Sequence, residues 1–566
     1  MRLPLLPSLS SLLQGRLSSA PLSPLRLTWL AALWMGLVGN WPLWRHMLQM
    51  PDLAGGRGQL FVLVFAATVT ALLGALMSLL AWRITLKPVL VALLLLTAAL
   101  SHFIGSYGVL IDSSMVINAL QTDVRETRDL LSPGLLLSLA LIAGPPILLL
   151  WRQPVAQTRW FRRLGWNLAG LLGGVLLAVA LAMSSFAELA STMRNHKSLR
   201  YMITPVNAIW AGVAVAVKTQ RAPKGPPEVV GADATLRPLP AGGRPPLIVL
   251  VVGETARADN FSLNGYGPLT NPQLAQRPVL SFKDVTACGT STAASLPCMF
   301  SHLGREAFIK HKKPQESLLD VLQRAGLAVL WLDNQSGCKG ICDRVPNAQA
   351  ITPARQDIPL PAGLCGEDGE CLDEALLHDL DARIAALDPQ RAARGVVLVL
   401  HQMGSHGPAY YKRTPAQRKP FQPECQSNAL QQCPLDQVRN AYDNTIAYTD
   451  LVLARTIDWL QTQQQRFHPS MIYVSDHGES LGENKLFLHG MPYAIAPREQ
   501  KQVPLILWLP EESARASGVD RQCLSQRLDQ PLSHDGLYHA MLGLAGVQTS
   551  LYRPDWDWLG ACRQPG

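Results

Sequence analysis

The sequence predicts two architectures joined end to end: an α-helical five-span transmembrane domain, then an α/β domain with a mainly parallel central sheet. Three observations predict this. Before Ser191 long runs of Leu, Ala and Val dominate, whereas after about Pro223 charges, prolines and glycines return to ordinary globular frequency. All ten cysteines lie between Cys288 and Cys562, within the second part. Beyond residue 246 short apolar runs alternate with longer helical segments, the pattern of strands and crossover helices.

The membrane elements come first. A hydrocarbon core of about 30 Å needs roughly 20 apolar residues per helix. Five segments meet that length, at 28–48, 59–82, 88–106, 133–151 and 166–187. Further spans come after the first, so it does not read as a cleaved leader. Basic residues set the orientation, because short cytoplasmic loops retain Lys and Arg. One set of loops holds Arg2, Arg16, Arg26, Arg83, Lys87, Arg152, Arg159, Arg162 and Arg163; the opposite set holds Arg45, Arg57, Arg125 and Arg128. The expected organisation is a cytoplasmic segment 1–27, a membrane domain 28–187, a periplasmic linker with membrane-surface helices 188–245, and a periplasmic domain 246–566.

The cysteines agree with that placement by a separate route. An even set confined to one soluble domain implies disulfides, which persist on the oxidising side of a membrane. Sequential pairing would join Cys288 to Cys298, Cys338 to Cys342, Cys365 to Cys371, Cys425 to Cys433 and Cys523 to Cys562. The spacing alone leaves the connectivity open. The competing reading, a thiolate metal site, lacks paired C-x-x-C knuckles.

In the soluble part, strands are expected at 247–252, 327–332, 396–400, 471–474 and 503–509. The residues just beyond their ends carry chemistry. The first runs into Gly253 and Glu254, the third into His401, and the fourth into Ser475, Asp476 and His477. Carboxyl ends of parallel strands converge on one edge of a sheet, so Glu254, His401, Asp476 and His477 should be neighbours. Mixed carboxylate and imidazole ligation suits zinc. A single His or Glu at a strand end is more often structural; four at consecutive strand ends favour a metal. His406 and His489 lie in turn-like contexts able to reach the same rim.

Between the first two of these strands lies Cys288-Gly289-Thr290-Ser291-Thr292-Ala293-Ala294-Ser295-Leu296-Pro297-Cys298. A helix starting here would aim free N–H groups at an anion. A hydroxyl beside zinc could attack phosphorus, or the three hydroxyls could only cap the helix. Chemistry alone does not choose among Thr290, Ser291 and Thr292.

With these residues assembled, the chain resembles the lipid A phosphoethanolamine transferases, including the colistin-resistance enzymes, within the alkaline phosphatase and sulfatase superfamily. The resemblance covers nearly the whole chain. It rests on Tyr107-Gly108-Val109-Leu110-Ile111-Asp112, on Arg194 to Tyr201, on Val252-Gly253-Glu254-Thr255-Ala256-Arg257, on the Cys288 to Cys298 segment, on Asn334 to Cys342, on His401 to Pro408, on Ser475-Asp476-His477-Gly478-Glu479-Ser480, and on His489-Gly490. It implies a soluble domain of alkaline-phosphatase/sulfatase type. It further implies Thr292 as nucleophile, with Glu254, Asp476 and His477 as zinc ligands and the Thr292 oxygen completing the set. Asn118, Thr122, Glu126, Ser336, Lys339, His401, His406 and His489 would contact the phosphoethanolamine group, with His406 or His489 moving protons. One zinc ion is expected, and such enzymes can hold a second near His406 and His489.

The implied reaction takes phosphoethanolamine from phosphatidylethanolamine to lipid A through a phosphothreonine-type intermediate, lowering surface charge and giving polymyxin resistance. The alternatives are another lipopolysaccharide or glycan acceptor, a plain hydrolase, and an inert receptor. Membrane lipid is an expected partner, nucleic acid is not, and a monomer is expected. The net charge of +9 suits a phosphate-rich partner only weakly, since the positive-inside arginines supply part of it. One further expectation concerns Asn118, Thr122 and Glu126: if 112–129 is a single helix, their four-residue spacing lines them along one face.

Overall fold

The structure is a computed structural model that describes residues 20–122, 124–221, 225–239, 242–366 and 369–564, without the side chains of residues 124–126 and 221. It falls into two compact units, 1–105 with 133–209, and 106–132 with 210–566. These units cut the chain at places other than the expected domain boundaries. Ser106–Ser132, placed by sequence among the spans, belongs to the unit that contains the soluble domain.

In the first unit, four helices among the described residues are long and apolar enough to cross a membrane: Gly56–Ser78, Leu86–Tyr107, Pro133–Arg152 and Trp160–Ser184. The expected first span is shorter as an unbroken helix, Pro24–Gly39. It stops at Asn40, and a separate helix, Trp41–Leu48, comes next with Pro42 in its first turn. Proline cannot donate the backbone hydrogen bond that a continuing helix would need. Asn40 is buried and tied elsewhere, its amide donating to the carbonyls of Met35 and Thr204 at 2.9 and 2.8 Å. Small residues let helices approach: a Cβ on Gly174 would come within 2.8 Å of Ala75, and one on Gly170 within 2.7 Å of Ser78.

The second unit is built on an eight-stranded sheet. Its strands, in chain order, are β1 Pro246–Gly253, β2 Val279–Thr286, β3 Ala328–Asp333, β4 Asn347–Gln349, β5 Val396–His401, β6 His468–Ser475, β7 Gln502–Trp508 and β8 Leu532–Ser533. Their spatial order is β8-β2-β7-β6-β1-β5-β3-β4. β1 pairs in parallel with β5 and β6, and β3 in parallel with β4 and β5. β7 runs antiparallel to both β6 and β2, so the sheet is mixed.

The central strands are near-continuous Val, Ile and Leu because both of their faces are covered. Ile248, Leu250 and Val252 of β1 share a core with Leu296, Leu318, Leu322, Leu537 and Met541 from three helices. Their alternate neighbours Leu247, Val249 and Val251 are equally buried and face the other way. The 28-residue helix Leu435–Thr462 packs on β6.

The ten cysteines join as Cys288–Cys298, Cys338–Cys342, Cys365–Cys371, Cys425–Cys433 and Cys523–Cys562.

Candidate active site

Register brings the predicted residues to one edge. Val252 sits opposite both His401 and Val474, Gly253 opposite Ser475, and Asp333 opposite His401. The residues that come immediately after, Glu254 beyond β1 and Asp476 and His477 beyond β6, therefore emerge side by side. The chain turns sharply there. Thr255 takes φ 54°, a strained value for a β-branched residue. The Asp476 side chain accepts the Thr255 N–H at 3.2 Å, and Tyr442 donates its hydroxyl to the Thr255 carbonyl at 2.7 Å.

Glu254, Asp476 and His477 form a fully buried group whose ligand atoms lie within 4.8 Å of one another. His477 shares Nδ1–H with the Gly478 carbonyl at 2.9 Å. A carbonyl only accepts, so Nδ1 carries a hydrogen and Nε2 is the nitrogen turned inward, 3.4 Å from Glu254 Oε1 and from Asp476 Oδ2. Asp476 Oδ1 is used by two backbone N–H groups, while the buried Oδ2 has no hydrogen-bond partner among the described residues. Two buried carboxylates, one with an orphaned oxygen, face one imidazole nitrogen. That donor set fits a divalent cation. The electrostatics agree: burial and the Asp476 charge push the Glu254 carboxyl up. Burial works to lower His477, but Asp476 and Glu254 together carry it up to about 10, so without a cation Nε2 holds a proton that a bound cation would displace.

The three hydroxyls that sequence left open are sorted by their contacts. Ser291 precedes the helix Thr292–Met299 but its side chain does not cap it. Thr290 donates to the Met491 carbonyl at 2.6 Å. Thr292, the first helical residue, aims Oγ1 at the cluster, 3.0 Å from Glu254 Oε2 and 3.4 Å from His477 Nε2. Cys288–Cys298 closes the segment around it.

Three further histidines line the rim, two of them in ring contact with the site. The His489 ring lies 4.4 Å from that of His477 and 5.7 Å from that of His406. His489 Nδ1 is held by Glu479 at 2.8 Å, and Glu479 in turn accepts the Tyr410 hydroxyl. Burial first, then the charges of His489 and Arg413 for His406 and of His477 for His489, hold both well below the usual imidazole range. Both rings are thus held in the neutral form. His401 pairs through Nδ1 with Asp333 at 3.0 Å, while its buried Nε2 has no hydrogen-bond partner. Lys339, at φ 51°, donates to Ser336 Oγ at 2.7 Å.

Asp333, Glu479 and Tyr410 were missed by sequence reasoning. The signal for the first was a carboxylate ending a strand beside His401; Glu479 sat in a quoted motif without a role.

The single helix expected over 112–129 is instead two, Ser113–Gln121 and Val124–Leu130. Thr122 breaks it with extended backbone and turns its hydroxyl onto the Asn118 carbonyl at 2.8 Å, so no continuous face joins the three residues. The Glu126 side chain lies outside the described residues. The segment still packs on the site's own elements. Lys339 Nζ lies 3.4 Å from the Gln121 carbonyl, and a Cβ on Gly490 would touch Met115 at 2.9 Å. Asp129 is buried against Lys412 and Arg413.

A threonine hydroxyl at a helix start, facing a buried carboxylate and imidazole cluster at the carboxyl ends of parallel strands, defines a sulfatase-type catalytic domain. The sulfatase family model matches residues 246–547, and that of phosphoethanolamine transferase EptA/EptB matches 69–220. The chain is 39% identical over 546 residues to phosphoethanolamine transferase EptA of Escherichia coli K12, covering 95% of this chain and 97% of that one. It is 38% identical over 536 residues to phosphatidylethanolamine transferase Mcr-1 of Escherichia coli, covering 93% and 95%. The integral membrane lipooligosaccharide phosphoethanolamine transferase A from Neisseria meningitidis superposes with a TM-score of 0.89 at 34% identity, covering 96% of this chain and all of that one. The chain belongs to the phosphoethanolamine transferase family.

Proposed function

We propose that the protein transfers phosphoethanolamine from phosphatidylethanolamine to a phosphate of lipid A, with Thr292 carrying the group between the two. The observation that carries this reading is Thr292 Oγ1 lying 3.0 Å from Glu254 and 3.4 Å from His477 at the start of a helix. Glu254, Asp476 and His477 would hold zinc, which when bound supplies the Lewis acidity that acidifies a hydroxyl beside it and offsets charge on the transferred phosphoryl. The neighbouring His406 and His489 leave room for a second ion in the same reading.

Thr292 Oγ1 attacks phosphorus; the bond from phosphorus to Oγ1 forms as the bond to the glycerol oxygen breaks, and diacylglycerol leaves with a proton. His489, oriented by Glu479 through Nδ1, carries that proton with its other nitrogen, and His406 stands beside it. A lipid A phosphate oxygen then attacks the same phosphorus, and Thr292 departs and regains its proton. Lys339 and Ser336 receive the donor's phosphate oxygens, with His401, Asn118, Thr122 and Glu126 around the ethanolamine end.

The first unit crosses the inner membrane five times, the broken pair Pro24–Gly39 and Trp41–Leu48 together making the first pass. The N-terminus is then cytoplasmic and the catalytic domain periplasmic, and the protein acts as a monomer. Each added ammonium offsets a phosphate charge and weakens attraction for polymyxin and other cationic peptides. Mass spectrometry of lipid A from cells with and without the protein tests the proposal. A gain of one phosphoethanolamine unit is expected; an unchanged profile, with modification of another glycan instead, would move the acceptor.

A further inference from the structure

Against the segment that bears Thr292 the same unit holds a cavity of about 920 Å³. One wall is the nucleophile segment itself, through Gly289, Thr290 and Ser291 before Thr292 and Ala293 and Ala294 after it. Thr292 does not line it. The rest of the lining is strongly basic: Lys218, Arg305, Lys312, Lys313, Lys339 and Arg344 stand against only two carboxylates, Asp112 and Glu316. Some of that charge is already paired, for Arg344 bridges to Asp320, Lys313 to Glu228, and Glu316 to Arg324.

What is left over is informative. Lys218 and Lys312 are exposed, come from different segments, and make no ion pair among the described residues. Arg305 is fixed in place with no acid on its side chain among the described residues: its Nε donates to the Cys288 carbonyl at 3.0 Å, and its guanidinium lies 3.4 Å over the Tyr493 ring. Such a guanidinium is preorganised for phosphate oxygens. Lys339 is shared, lining this cavity while gripping Ser336 on the donor side. Phosphatidylethanolamine is a zwitterion and needs no such surplus of positive charge. Ile117, Val215, Phe308 and Ile309 supply apolar lining beside the cations.

We propose that this cavity is the acceptor subsite, taking a phosphate monoester carried on a bulky amphiphile, with Arg305, Lys312 and Lys218 as its anion-binding groups. This rests on the transferase reading above. The volume exceeds what one phosphate requires, and the mixture of cations with apolar surface suits a phosphorylated glycolipid. An acceptor held there lies against Ser291 and Ala293, the residues on either side of Thr292. Donor and acceptor would then share only Lys339.

The test measures transfer to lipid A in mixed micelles, with phosphatidylethanolamine as donor, for the full chain and three charge reversals. Lys312→Glu and Lys218→Glu should each raise the KM for lipid A by about tenfold while kcat at saturating acceptor holds within about twofold. Lys310→Glu puts the same charge change two residues away, outside the cavity, and should leave that KM as it is. An unchanged KM for both Lys312→Glu and Lys218→Glu overturns the assignment. So does an equal rise with Lys310→Glu, which would mean a general surface field. If the unaltered protein releases no diacylglycerol from phosphatidylethanolamine, the transferase reading fails first, and that result is separable from a failure of the cavity alone.

Discussion

Beside Glu254, Asp476 and His477 are each bound by their surroundings in a way that leaves one atom for a cation, the Nε2 of His477 and the Oδ2 of Asp476, which has no hydrogen-bond partner among the described residues. Under the proposed zinc site, removing either of the last two side chains takes away a direct ligand. Asp476→Ala and His477→Ala should therefore lower bound zinc, read by elemental analysis of purified protein, whereas Thr292→Ala should retain it; full occupancy in both ligand variants would place the metal elsewhere. His534 shows how firmly this edge is held. Its Nδ1 accepts the Cys288 N–H at 3.2 Å and its Nε2–H donates to the Ser475 carbonyl at 3.0 Å, a pattern only the neutral ring can make. Burial pushes its pKa down to about 3. A base with a depressed folded-state pKa contributes stability above its unfolded value, 6.5, and loses it as pH falls from there toward 3. Between pH 6.5 and 5 that loss reaches about 2 kcal/mol. The thermal midpoint of the parent should accordingly fall more steeply with acidification than that of His534→Gln, and parallel pH profiles would rule out His534 as the titrating group.

Among the elements, the helix Thr292–Met299 depends on its surroundings more than on its composition. It is eight residues long with Pro297 inside it, and no side chain caps its start. Isolated helices of this length are marginal, so the Cys288–Cys298 bridge and the His534 contacts hold it. The paired Cys288→Ser, Cys298→Ser variant should lose about 3 kcal/mol of stability, and its kcat should fall further than a stability change at an unrelated site would lower it. Unaltered melting and turnover would show the bridge to be dispensable. The same physics decides which elements were legible. The buried strands β1, β3, β5 and β6 announced themselves as unbroken apolar runs, and with them came Glu254, His401, Asp476 and His477. β2 was not found, because Lys283 and Asp284 interrupt it and its burial is partial. The antiparallel direction of β7 was equally hidden, since an apolar run carries no information about which way it is crossed. Asp333 and Glu479 act through histidines distant in sequence, His401 from the first and His489 across a turn from the second, and only the folded chain brings them together.

For the whole molecule, the informative division is that Ser106–Ser132 joins the catalytic unit although it is flanked on both sides by apolar helices. Tyr107 donates to the Asn428 carbonyl at 3.1 Å, Asn428 returns an amide to Asp129, and Asp129 is buried against Arg413 at 2.7 Å. A protein cut at about residue 225 loses these contacts and the surface beside Lys339 with them. It should keep zinc and cleave small phosphate esters weakly, yet transfer from phosphatidylethanolamine vesicles at a small fraction of the full-length rate. Equal rates would reduce the first half of the chain to an anchor. The central claim, that Thr292 itself carries the transferred group, is tested most directly by incubating the full-length protein with phosphatidylethanolamine and no acceptor, then analysing its peptides by mass spectrometry. The account predicts one phosphoethanolamine on Thr292, released when lipid A is added and absent from Thr292→Ala; diacylglycerol release with Thr292 unmodified, or with the group on another residue, would contradict it.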